Sequence, residues 1–490
     1  MEENSADRHP PGESGDGRSS ALTGNGDSGS GASTLVSSRA RPPALEVSRR
    51  GAAARPMSAT RFERASRAVF VGTATVLGLA AVFGAGIHFA NERYWPYRPV
   101  EEAIRVLGDA IEHDGFAPEN AVGDAPANAS RESWTAHRAA ELRPGYRALM
   151  GYLGAEGDFG IRLFDTAGTE VHRRVLNYDV QDPDGPSGGS EAPHAFHFLP
   201  DGSVIVNTDK GDVMARYDVC GQPLWSRAGA FHHSLSSDPR GGLWTWRGEL
   251  SAFDQYQFLV RFDPETGETL EEIDLVADII EASPANRAIF TLVPGKTLEH
   301  AESYRAVADL FHPNDLEVLQ PHMAAAFPDF DAGDLLLSFR NIDLVAVLDP
   351  DTSEIKWWSH GPWIRQHDPD FQPNGEITVF NNNGWRRLSS IVAIDPATRA
   401  LRTAEIDPDF RFYSQYMGKH EYLEDGTLQV VVPFEGRALE FSRDGELLLE
   451  INNLFSDEHN AFVADYTLLA PDFFDTEPAR FTCADGDNLS

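Results

Sequence analysis

One phrase recurs along residues 141–475 of this chain: a strand-like run ending in Asp or Ser, a turn, and a second strand-like run. It reads "RLFDTAGTEVHRRV" from Arg162, "ARYDVCGQPLWS" from Ala215 and "VRFDPETGETLEEI" from Val260. It returns as "AVLDPDTSEIKWW" from Ala346, "VAIDPATRALRTAEI" from Val392 and "LEFSRDGELLLEI" from Leu439. The markers Asp165, Asp218, Asp263, Asp349, Asp395 and Ser442 are separated by 53, 45, 86, 46 and 47 residues. Units of about 45 residues with room for four short strands predict an all-β, six-bladed β-propeller. A β-sandwich does not keep so regular a period. The long third interval predicts a helical insertion around 274–330, and "AFVADYTLLAP" near the C-terminus supplies a closing strand.

The other hairpin of each unit carries histidine. His194, His233 and His367 each stand eight residues before a turn glycine, Gly202, Gly241 and Gly375. His420 stands six before Gly426, and His312 opens "HPNDLEVL" in the stretched unit. The innermost strand of a propeller blade lines the central channel, so residues at its start gather at one mouth. Arg340, at the end of "DLLLSFR", returns to that mouth. Several imidazoles with one guanidinium make a candidate anion or metal site. For any single histidine the competing reading is a hydrogen bond to a neighbouring blade. Asp368 and Asn314 read as orienters of the histidines or as turn caps. Trp225, Trp246 and Trp357 read as packing between blades.

The N-terminal part is of another kind. Residues 1–60, rich in Ser, Gly, Ala, Pro and Arg, read as a disordered cytoplasmic tail. Residues 68–90 are free of formal charge and long enough to be a transmembrane helix. Arg55, Arg61, Arg64 and Arg67 before them place the N-terminus inside and the propeller outside, periplasmic or extracellular. A helical linker is expected over 91–140 and a C-terminal tail over 476–490. The net charge of −35 falls almost wholly after the span and disfavours nucleic acid and anionic lipid as partners. Cys220 and Cys483 cannot form a CxxC metal site; their spacing fits a disulfide or two thiols.

The chain has no P-loop, no GxGxxG after a strand and no GxSxG, so no nucleotide cofactor or serine elbow is expected. Neutral imidazoles would suit zinc or a transition metal. A calcium-dependent propeller would need converging carboxylates instead, and the repeated residue here is His.

The blocks "QHDPDFQPNG" and "SFRNIDLVAVLD" resemble the bacterial arylsulfotransferase (arylsulfate sulfotransferase) family of six-bladed periplasmic propellers, over roughly residues 190–450. The resemblance implies sulfuryl transfer from an aryl sulfate to a phenol through a covalent sulfohistidine, with no cofactor and no metal. It makes His367 the nucleophile and His312 the general acid and base. It makes Arg340 and His233 the clamp on the sulfuryl oxygens, with His232 a less secure second. His420, His194 and Asn314 are expected to shape substrate binding. Hydrolysis of the sulfate ester, and a non-enzymatic propeller that binds protein, glycan or metal, stay open as alternatives.

Overall fold

The computed structural model describes residues 121–474 apart from 155–158, 177–191, 209–212, 249–256, 292–310, 385 and 408–409, together with three helical positions at Phe70, Thr73 and Thr75. The recurring Asp begins a turn. Its Oδ1 accepts backbone N–H bonds from residues just ahead, as Asp165 does from Ala167 and Thr169 at 2.9 and 2.8 Å. Asp218, Asp263, Asp349 and Asp395 do the same, and Ser442 Oγ accepts from Glu446 at 3.1 Å. Such side-chain turns join the third and fourth strands of each blade. Gly267 takes the left-handed position of this turn with φ 73°; Ser353 and Arg399 occupy it at 59° and 62° despite their side chains.

Beside a two-stranded sheet of Val122–Asp124 and His459–Ala461, the described residues form six blade sheets, each with its strands in antiparallel order. Five of them start from an innermost strand at Pro193–Phe198, Phe231–Ser237, Pro313–Val318, His367–Phe371 and Lys419–Tyr422. We number these blades two to six in chain order. In blade one the innermost strand is Val463–Leu469, which pairs with Tyr146–Tyr152 from the start of the domain. The predicted closing strand thus joins the two ends of the ring. Trp134–Ala136 adds a fifth strand to the outer edge of blade six.

Burial explains the residue patterns. The second strands Val204–Thr208, Leu335–Phe339, Ile377–Asn381 and Leu428–Val432 are buried at every position. Both their faces pack on neighbouring blades, so they read as continuous apolar runs such as "LQVVV". The outermost strand Pro223–Ala228 alternates half-buried and exposed residues, because one face meets water. Tryptophans pin adjacent blades: the indole N–H groups of Trp225, Trp246 and Trp357 donate to Pro264, Asp315 and Pro396 carbonyls at 3.0–3.1 Å. Blades one and six share a buried ion pair, Arg147–Glu440 at 3.0 Å.

The stretched third interval has two sources. A π-helical turn Leu275–Ile280 and helix Pro284–Thr291 leave blade three. A long loop with a short 3-10 turn, Ala324–Ala326, then separates the first two strands of blade four. The helical linker expected over 91–140 needs correction where it is described. Residues 121–136 form two short strands, Val122–Asp124 and Trp134–Ala136, since their backbone N–H and C=O groups pair with Ala461 and the edge of blade six. Among the described residues no helix is long and apolar enough to cross a membrane. The expected span 68–90 lies outside them except for Phe70, Thr73 and Thr75. The expected tails 1–60 and 476–490 also lie outside. Cys220 is disulfide-bonded, which decides against a free thiol there.

Candidate active site

Five innermost strands break register at their starts, between Pro193 and Ala195, His232 and Ser236, Pro313 and Asp315, His367 and Pro369, and Val463 and Asp465. Bulges of this kind re-aim side chains. His233, His312 and Asp368 adopt left-handed backbone, with φ of 63°, 49° and 51°. Each costs on the order of 1–3 kcal/mol for a residue with a side chain, a strain that clusters at functional sites.

These breaks bring the histidines together. The rings of His194 and His233 lie 3.9 Å apart, and those of His233 and His312 5.7 Å apart. His232 meets His233 through their Nδ1 atoms at 2.6 Å. All four are buried, and so is His367. Burial pushes the His233 imidazole well below its usual pKa, and the charges of His194, His232, His312 and His367 add to the effect. Burial acts first on His367 too, followed by the Arg340 guanidinium; the hydrogen bond that its N–H donates to Asn382 opposes them. Both imidazoles are therefore neutral near pH 7. Arg340 closes the group from the end of the second strand of blade four, its N–H bonded to the His312 carbonyl at 3.0 Å.

Asn382 fixes which nitrogen of His367 is free. Its amide N–H groups donate to the carbonyls of Ser414 and Met417 at 3.1 and 2.7 Å, so its oxygen must face His367. That oxygen accepts from His367 Nδ1 at 2.8 Å. Nδ1 then carries the proton and Nε2 the lone pair. The Met417 N–H donates to this Nε2 at 3.2 Å, a long bond that a reacting group displaces. On the other side, Gln257 Oε1 lies 3.0 Å from His232 Nε2. The Nδ1–Nδ1 contact holds one proton, and its owner decides whether His233 turns a donor or a lone pair to the channel.

A profile of the arylsulfotransferase (ASST) family matches residues 195–454, more than half of the chain. The chain belongs to the arylsulfotransferase family. No curated protein matches it. Among solved structures, it is similar to a protein of unknown function from Bacteroides caccae at 12% identity, covering 66% of this chain and 98% of that one, TM-score 0.42. It is also similar to virginiamycin B lyase from Staphylococcus aureus at 13% identity, 52% and 69% coverage, TM-score 0.32. AztD from Citrobacter koseri matches at 9% identity, 67% and 99% coverage, TM-score 0.35. None of these likenesses bears on activity.

Of the residues proposed for this family member from its sequence, the structure brings together His194, His232, His233, His312, His367 and Arg340. Asn314 joins them from below, donating to the Gln366 carbonyl at 2.7 Å and so holding the backbone that precedes His367. Its buried Oδ1 has no partner. His420 is a different case. Its Nδ1 meets Asp368 at 3.1 Å and its Nε2 meets Thr378 Oγ1 at 2.8 Å, so both nitrogens turn towards blade five. It lines a larger cavity, with His197 and His322, that His194, His232, His233, His312 and His367 do not line. Asp368 orients His420, and the orienter of His367 is Asn382. The sequence offered "FNNN" at the end of a strand as the only signal for it.

Proposed function

We propose that this chain is an aryl sulfate sulfotransferase that works through a sulfohistidine at His367. The observation that carries this reading is the buried, neutral His367, with Nδ1–H held by Asn382 and Nε2 turned towards the Met417 N–H, and with Arg340 and His312 near enough for their charges to act on it.

In the first half-reaction the Nε2 lone pair attacks sulfur and the S–O bond to the aryl group breaks. The leaving phenolate takes a proton from His312, and Nε2 holds the sulfuryl group. In the second half-reaction neutral His312 takes the acceptor phenol's proton and the phenol oxygen attacks sulfur. The N–S bond breaks and His367 returns to its neutral form. A neutral imidazole is a competent nucleophile, and the two steps give ping-pong kinetics. Arg340 stabilises charge on the sulfuryl oxygens. A proton donor with pKa near ambient suits His312. The chain's acidity repels sulfate esters, so the single guanidinium matters for capture as well as for rate. We place the propeller outside the cytoplasm, anchored through residues 68–90.

Purified protein is given an aryl sulfate with and without an added phenol. Sulfuryl transfer predicts phenol release that depends on the acceptor, with parallel double-reciprocal lines. Release independent of the acceptor supports hydrolysis, and no release in either arm supports a binding propeller.

A further inference from the structure

Beside the histidines, on the same innermost strands, lies a second group of ionisable side chains. A cavity of about 730 Å³ opens where these strands finish, beside Phe198, Phe371 and Tyr422. In it Asp368 and Asp370, two apart on one strand, face His420 of the next blade. Asp368 Oδ2 lies 3.1 Å from His420 Nδ1, and Asp370 Oδ2 lies 3.4 Å from Nε2. One ligand atom from each of the three falls within 4.8 Å of the other two. Asp315, Glu317, Glu421 and Asp465 stand around them, and the ammonium of Lys419 is bound to Asp465 at 2.7 Å. Burial first, and then the charge of neighbouring carboxylates, pushes Asp315, Glu317 and Asp370 well above the usual carboxylate range.

A separate observation points to a ligand. Gln429 is 2% exposed and pairs across the strands with Glu421, so it lies on the face of blade six opposite His420 while lining the same cavity. Its Nε2 donates to Glu440 Oε1 at 2.9 Å. A carboxylate only accepts, so the amide cannot be turned round, and its Oε1 is left buried without a partner. An orphaned carbonyl oxygen beside a surplus of carboxylates calls for a positive ligand or its bound water.

We propose that Asp368, Asp370 and His420 bind a divalent metal cation in this cavity. Two carboxylates balance its charge, and the mixed oxygen and nitrogen donor set suits Mn²⁺ or Zn²⁺ better than Mg²⁺. The ion would tie blade five to blade six one residue from His367, which makes it a structural clasp for the strand that carries the other site. The proposal does not depend on sulfuryl transfer.

The test uses full-length protein stripped with EDTA, then titrated with MnCl₂, ZnCl₂ and CaCl₂ in turn, read by calorimetry and by thermal unfolding. The expected result is one equivalent bound of Mn²⁺ or Zn²⁺ and a rise of several degrees in melting temperature. Asp370→Asn and His420→Gln should each weaken binding at least tenfold. Metal-free Asp370→Asn should melt no lower than the parent, because it removes repulsion between like charges. Glu268→Gln, an exposed change away from the cavity, should alter nothing. No stoichiometric binding of any of the three ions, or binding that neither substitution weakens, overturns the proposal.

Discussion

Two neighbouring groups of ionisable side chains rest on the same innermost strands and carry opposite chemistry. In one, burial lowers the pKa of imidazoles and keeps His233 and His367 uncharged. In the other, the same cause raises the pKa of carboxyls, holding Asp315 and Asp370 up and taking Glu421 to about 7. Desolvation always disfavours the charged form, so residue type alone decides the direction. The lesson is that a buried ring of ionisable groups shows its use by what partners it has. The histidine group has a guanidinium and fixed tautomers, and the acidic group has one engaged ammonium and an orphaned acceptor.

The largest expected contrast comes from the nucleophile. His367→Asn should lower kcat by more than about 10⁴-fold while leaving the melting temperature within a few degrees, measured by phenol release and thermal unfolding. Arg340→Ala should follow, with kcat/KM down by roughly 10²–10³-fold, the usual loss for a donor to developing charge. Equal losses from Asp370→Asn would erase the distinction between the two groups.

Asn382→Ala should cost less, roughly 10–100-fold in kcat with KM little changed, since it frees the His367 tautomer without touching substrate. A merely structural role would lower stability and leave the activity of the folded fraction intact.

The smallest effect is in stability against pH. His233 and His367 have folded pKa values below the unfolded 6.5, so the unfolded chain binds more protons and stability falls as pH drops through that value. Asp370 behaves in reverse: its folded pKa lies above the unfolded 3.8, so its contribution is present below that value and is lost as pH rises through the folded one. In EDTA, the stability gained by Asp370→Asn over the parent should therefore grow between pH 5 and pH 8, as measured by denaturant titration.

Much of the ring was legible before any coordinates. Turn residues and a fixed period are local features, and Asp165 or Asp395 announces its turn whatever surrounds it. The histidine mouth was legible for a related reason, because strand starts of a closed repeat must share one end. His420 misled, since two residues along a strand move a side chain further down the channel, where Asp368 and Thr378 hold it. Asn382 stayed hidden because its role rests on contacts with Ser414 and Met417, more than 30 residues away. The acidic group was overlooked because its carboxylates are scattered among many acidic residues, and only the packing of blades one, four, five and six makes a cluster of them. The strands at 121–136 were taken for helix because strands that complete another sheet's edge carry little pattern of their own.

One nitrogen atom, His367 Nε2, would carry the sulfuryl group between donor and acceptor. Protein incubated with an aryl sulfate and no acceptor, quenched and analysed by mass spectrometry under conditions that preserve N–S bonds, should carry one sulfuryl group on His367, lost on adding a phenol. Turnover with the group on another residue, or with none on the protein at any time, would contradict it.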